Sequence, residues 1–138
     1  MSSASTTANK AVIVTPAALV WMDVPLVQGG QAAVLFGNPT KAGTTIMRFK
    51  FPANRQTPAH THPYAEIVTI ISGSIGYGEG NTFDTAKGEL GKPGTFAIVP
   101  AQQAHFVWTD NEEAIVQIQF EGPASTNYVN PTDDPRNK

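Results

Sequence analysis

The chain has 138 residues, only 14% of them charged, with 12 glycines, 11 prolines and no cysteine. That length suits one domain with a sizeable core, and few charges with many turn-formers argue for short strands over surface helices. A formal charge of −2 with scattered Lys and Arg excludes an electrostatic case for nucleic acid; the lack of cysteine excludes disulfides and thiolate ligands; and no apolar run reaches the length of a membrane-spanning helix.

Residues 1–10 are rich in Ser, Thr and Ala and lack a charged region followed by an apolar stretch, so they predict a disordered start and not a signal peptide. The compartment stays open: a soluble protein, cytoplasmic as written, or periplasmic or secreted if a leader has been removed. Residues 11–138 are expected to form a single domain, with an irregular tail from about 130 to 138. Within it Val12–Val14 is followed by Pro16, and Ala17–Val20 has room for one turn. Ala32–Phe36 ends at Gly37-Asn38-Pro39, and Thr45–Phe51 alternates, with Met47, Phe49 and Phe51 on one face and Arg48 and Lys50 on the other. Ile67–Ser72 is a β-branched run stopped by Gly73, and Ile75 and Tyr77 precede the turn chemistry of Gly78 to Asn81. Thr95–Val99 ends at Pro100, Phe106–Trp108 stops at Thr109-Asp110-Asn111, and Ile115–Phe120 alternates apolar with Gln. No long window has helical periodicity. About nine short strands at regular spacing predict an all-β sandwich or barrel with little or no helix.

The chain has three histidines. Two lie in Pro58-Ala59-His60-Thr61-His62-Pro63-Tyr64-Ala65-Glu66, and in an extended strand positions i and i+2 share a face. Glu66 has the same parity, so one tight turn would bring its carboxylate to the same point. Two imidazoles and a carboxylate make a facial ligand set for a divalent first-row metal. The remaining histidine, His105, is the candidate for a fourth ligand from another strand. The plain alternative is that a lone histidine on an apolar strand is a satisfied core or surface residue.

Residues 60–73 read His-x-His-x3-Glu-x6-Gly, and residues 94–105 read Gly-x5-Pro-x4-His through Gly94, Pro100 and His105. The two segments resemble the paired motifs of the cupin superfamily. The stretches Val68-Thr69…Ser72-Gly73, Gly78-x-Gly80-x-x-Phe83-Asp84 and Gly122-Pro123…Tyr128-Val129-Asn130-Pro131 extend the likeness, over about residues 11–136, to small bacterial single-domain cupins, a group often exported and mostly without an assigned reaction. The resemblance implies a jelly-roll β-barrel (a double-stranded β-helix) in which His60, His62, Glu66 and His105 bind one metal. Three positions depart from the motifs. Asn54 and Gln102 stand where glycine is usual, and Thr109 stands where asparagine is usual.

Such ligands suit Fe, Mn, Ni, Co, Cu or Zn, and affinity does not choose among them. Open coordination positions beside an apolar interior (Met47, Phe49, Val68, Ile70, Ile98, Val107) would serve an enzyme acting on a small organic molecule. Dioxygenase-like chemistry on an enolisable or phenolic compound leads, ahead of non-redox isomerase or lyase chemistry and of a sensor or carrier without turnover. Tyr64, Arg48, Tyr77, Gln117 and Gln119 are the polar candidates for lining the pocket, although an exposed strand face is the favoured reading for Arg48, Gln117 and Gln119. No second acid–base couple accompanies the motif, which disfavours metal-free epimerase chemistry. Barrels of this kind often associate through sheet faces or edges, and a homodimer is expected.

Overall fold

Alternation of apolar and polar side chains gives each strand one face to bury, and two sheets close on those faces. The computed structural model describes residues 10–138. The predicted disordered start lies outside these residues apart from Lys10, which is exposed. The strands are β1 (Met22–Asp23), β2 (Gln31–Phe36), β3 (Gly43–Phe51), β4 (Gln56–Thr61), β5 (Glu66–Ser72), β6 (Ile75–Glu79), β7 (Gly88–Gly91), β8 (Phe96–Val99), β9 (His105–Trp108), β10 (Ala114–Gly122) and β11 (Asn127–Tyr128). Among the described residues the only helices are 3-10 turns of three residues each. One antiparallel sheet runs β1-β2-β3-β10-β5-β8 and the other β11-β4-β9-β6-β7. The fold is the expected all-β jelly roll.

The inner faces follow the sequence parity. Met47, Phe49 and Phe51 of β3, Val68 and Ile70 of β5, Val107 of β9 and Val116, Ile118 and Phe120 of β10 all line the interior. Ile98 does not. Its neighbours Ala97 and Val99 face inward, so alternation turns Ile98 out, where it is 59% exposed. Val12–Val14 forms no strand; Val12 and Ile13 lie exposed beside the short turn Pro16–Ala18. The tail holds two 3-10 turns, Pro131–Asp133 and Pro135–Asn137, capped by Asn130 and Asp134.

The five-stranded sheet also has a packed outer face. Gly76 pairs across from Trp108 and Gly78 from Phe106, and a Cβ at either glycine would run into the facing ring. The two rings use the room the glycines leave, and Phe83 closes over Phe106 at 5.1 Å.

The departures from the motifs fit their turns. Asn54 and Gln102 take φ of 59° and 65°, the left-handed region where glycine is most at ease and asparagine is enriched. The Asn54 amide donates to Asp110 O at 2.7 Å, and the Gln102 amide donates to His62 O at 2.8 Å. Thr109, only 6% exposed, donates its hydroxyl to Pro52 O (2.7 Å) and accepts from the Arg55 amide (2.9 Å), tying the two motif loops together.

Candidate metal centre

Strand β4 carries Pro58, which cannot donate to a sheet ladder. The pairing of β4 with β9 slips between Thr57 and His60, and this bulge changes which residues face inward. Thr57 lines the interior, and beyond the bulge His60 and His62 do. The shared face expected from their spacing is what the structure has, although it needed the bulge to aim it. His105, at the start of β9, pairs directly with His60. Glu66 opens β5 and faces in from the opposite sheet.

These side chains meet. The ring centroids of His60 and His105 are 4.3 Å apart, those of His60 and His62 5.0 Å, and those of His62 and His105 5.4 Å. One nitrogen from each histidine lies within 4.8 Å of the others, so the three could hold a metal ion. Glu66 reaches His62 Nε2 at 3.4 Å with Oε2 and His105 Nε2 at 3.5 Å with Oε1. All four residues are buried.

The ring nitrogens are already assigned by their partners. Nδ1 of His60 lies 2.7 Å from Pro58 O, Nδ1 of His62 2.7 Å from Ser125 O, and Nδ1 of His105 2.9 Å from Gln103 O. A carbonyl oxygen only accepts, so each Nδ1 carries a proton, and Nε2 is the nitrogen that each ring turns toward the cluster. Backbone carbonyls on Nδ1 are the usual means of orienting metal-ligating imidazoles. Burial, followed by the field of His105, pulls the His60 pKa down to about 4, which keeps the Nε2 lone pair of His60 free at neutral pH. Burial pushes the Glu66 carboxyl up, but the His105 hydrogen bond and the fields of the three imidazoles outweigh it, so the group lies below its ordinary value. A divalent cation would take the place of any Nε2 proton and be held by three imidazole nitrogens and an ionised carboxylate, and the residues present fit one.

The cluster forms part of the wall of a cavity of about 1250 Å³, otherwise lined mostly by aliphatic and aromatic side chains. Tyr64 and Tyr77 both line it. Tyr64 stacks between His62 (5.3 Å) and Phe120 (4.6 Å). Its hydroxyl donates to Ser125 O at 3.2 Å and accepts from the Ser125 amide at 3.1 Å, holding the loop that in turn holds His62. Burial raises its pKa. Tyr77 stacks on His105 at 5.7 Å and donates its hydroxyl to Glu79 Oε2 at 3.0 Å; burial, then Glu79, raises its pKa as well. Arg48, Gln117 and Gln119 are not among the lining residues. Their parity is opposite to Met47, Ile118 and Phe120, and Arg48 Nε donates instead to Gln117 Oε1 at 3.0 Å on the outer face. Sequence reasoning missed Ser125 and Glu79. The Ser125 contact is a backbone carbonyl and leaves no sequence signal; Glu79 had one, since it shares parity with Tyr77 in β6.

No protein-family model and no curated protein matches the sequence. Solved structures do match. The polyketide cyclase RemF from Streptomyces resistomycificus superposes with a TM-score of 0.73 at 18% identity, covering 91% of this chain and 90% of its own. An RmlC-like cupin from Shewanella frigidimarina gives 0.63 at 12% identity, covering 81% and 91%, and KdgF from Halomonas sp. gives 0.59 at 17% identity, covering 74% and 86%. At identities this low what is shared is the architecture, a cupin-type β-barrel.

Proposed function

We propose that the chain is a metal-dependent enzyme with one divalent first-row transition metal on His60, His62, Glu66 and His105, acting on a small, largely apolar enolisable or phenolic compound by oxygenase-type chemistry. The observation that carries this reading is the convergence of three imidazole nitrogens and a buried carboxylate on the wall of an apolar cavity. When bound, the ion supplies Lewis acidity and, if redox-active, one-electron chemistry. The chain does the rest: backbone carbonyls fix the imidazoles, and the walls exclude water and take up the apolar body of the substrate. Anaerobic reconstitution with Fe(II), then oxygen uptake against a panel of enolisable and phenolic compounds, tests it. Uptake should depend on both metal and compound, and its absence with every metal and compound would overturn the reading.

A second reading, non-redox isomerase, lyase or cyclase chemistry, gains support from the solved matches. RemF is a polyketide cyclase, and DddQ, a DMSP lyase from Ruegeria pomeroyi, matches at a TM-score of 0.60 and 18% identity over 77% of this chain. Activity retained with Zn(II), which does not redox-cycle, would favour it. A compound bound one-to-one and returned unchanged would favour a carrier. We also propose a homodimer, on the apolar outer face of β5 and β8.

A further inference from the structure

Among the polar groups that line the cavity beyond the histidine cluster, Tyr77 and Glu79 form a pair. Glu79, the last residue of β6, is directly opposite His105 in the β6–β9 ladder, and His105 is directly opposite His60 in the β9–β4 ladder. Residues directly opposite one another in an antiparallel pair point to the same face, with Cβ atoms about 5 Å apart. Glu79 therefore stands in the same cross-strand row as two of the three imidazoles, and it lines the same cavity.

The carboxylate is half engaged. Tyr77 donates to Oε2, and no described residue donates to Oε1. Among the described residues no Lys, Arg or His nitrogen comes within ion-pair distance of it. Tyr77 is itself braced against His105 by ring stacking, so the pair is fixed relative to the cluster. A fixed acceptor next to an apolar cavity repels anions and rewards a neutral donor.

We infer that Glu79, oriented by Tyr77, is a substrate-reading subsite that accepts a hydrogen bond from a hydroxyl carried on the body of the phenolic or enolic substrate, away from the oxygens that face the histidine cluster. The inference rests on the proposed metal site for where the substrate lies. The selected compounds are polyhydroxylated aromatics or enols; analogues with a methyl ether at that position are rejected, because the ether offers no hydrogen and leaves the acceptor desolvated. Glu79 is the recognising group, and Tyr77 is a positioning residue.

The test uses the full chain loaded with metal and a set of acetylnaphthols, in which the ketone and adjacent phenol form a chelating pair. A second hydroxyl is moved around the far ring, and each dihydroxy probe has its matching methyl ether. By calorimetry at least one dihydroxy probe should bind about tenfold tighter than its ether. That ratio should fall to near one in Glu79→Ala and drop several-fold in Glu79→Gln and Tyr77→Phe, with metal content and affinity for the parent acetylnaphthol held within about twofold. Glu79 is exposed, so its variants should fold. An unchanged ratio in Glu79→Ala, no preference in the parent protein, or metal lost from Glu79→Ala would overturn the subsite. If the parent acetylnaphthol binds without any hydroxyl preference, only the subsite falls. If it does not bind the metal-loaded protein at all, the metal site fails as a substrate site and the subsite falls with it.

Discussion

His60 is 5% exposed, among two other imidazoles, and its pKa of about 4 lies well under the ordinary 6.5. Between those two values the unfolded chain holds a proton that the folded chain does not. Stability therefore rises with pH across that window and is lost as pH falls through it. Glu66, also shifted down, adds a loss in the same direction below its ordinary value of 4.5. The His60 share is roughly 3 kcal/mol. Metal-stripped protein should thus lose melting temperature steeply from pH 6.5 to 4, and His60→Gln, which cannot protonate, should flatten the profile. A wild-type melting temperature constant over that range would contradict the shift. A second residue-scale expectation concerns Thr45, fully buried with a hydroxyl that has no hydrogen-bond partner among the described residues. Thr45→Val removes an unsatisfied polar group and should raise stability by about 1 kcal/mol in denaturant unfolding.

At the scale of elements, the loop after β10 supports the centre. Ser125 O accepts from His62, and Tyr64 clamps Ser125 from both sides. Tyr64→Phe keeps the stacking on His62 and Phe120 but releases the clamp. Metal affinity should drop about tenfold or somewhat more, as for other partners of ligands, with little change in fold by circular dichroism. Unchanged affinity would make Tyr64 a packing residue only. On the other side of the five-stranded sheet, Gly76→Ala would drive a methyl into Trp108 and should destabilise by roughly 2–3 kcal/mol, read as a lower denaturant midpoint.

These elements also explain what could be read in advance. His60, His62 and Glu66 were legible because the twofold strand period and the motif spacing agree, and Met47, Phe49 and Phe51 because β3 alternates cleanly. Ile98 was not, because Thr95–Val99 is apolar at both parities and only the pairing with β5 decides which side faces in. Neither the bulge at Pro58 nor the carbonyls on the Nδ1 atoms could be read, since side-chain identity does not encode backbone partners.

For the whole molecule, the question is what covers the outer face of the six-stranded sheet. Strand β8 is its edge, and Ile98, 59% exposed, points outward beside Ile67 and Ile71, 36% and 40% exposed. Ile67 is directly opposite Ile98, so with Ile71 they form one surface and not scattered residues. Monomeric proteins seldom leave a contiguous apolar patch next to an open edge, since both invite association. A two-fold pairing of this face with itself would bury the patch and cover the edge in one step, which an isologous contact allows. Light scattering should therefore give twice the chain mass at micromolar concentration. Ile67→Lys with Ile98→Lys should yield a monomer that keeps its metal and its circular dichroism, because neither side chain lines the cavity. A dimer that persists in the double variant would assign the contact elsewhere, with the exposed Val12 and Ile13 next to be substituted.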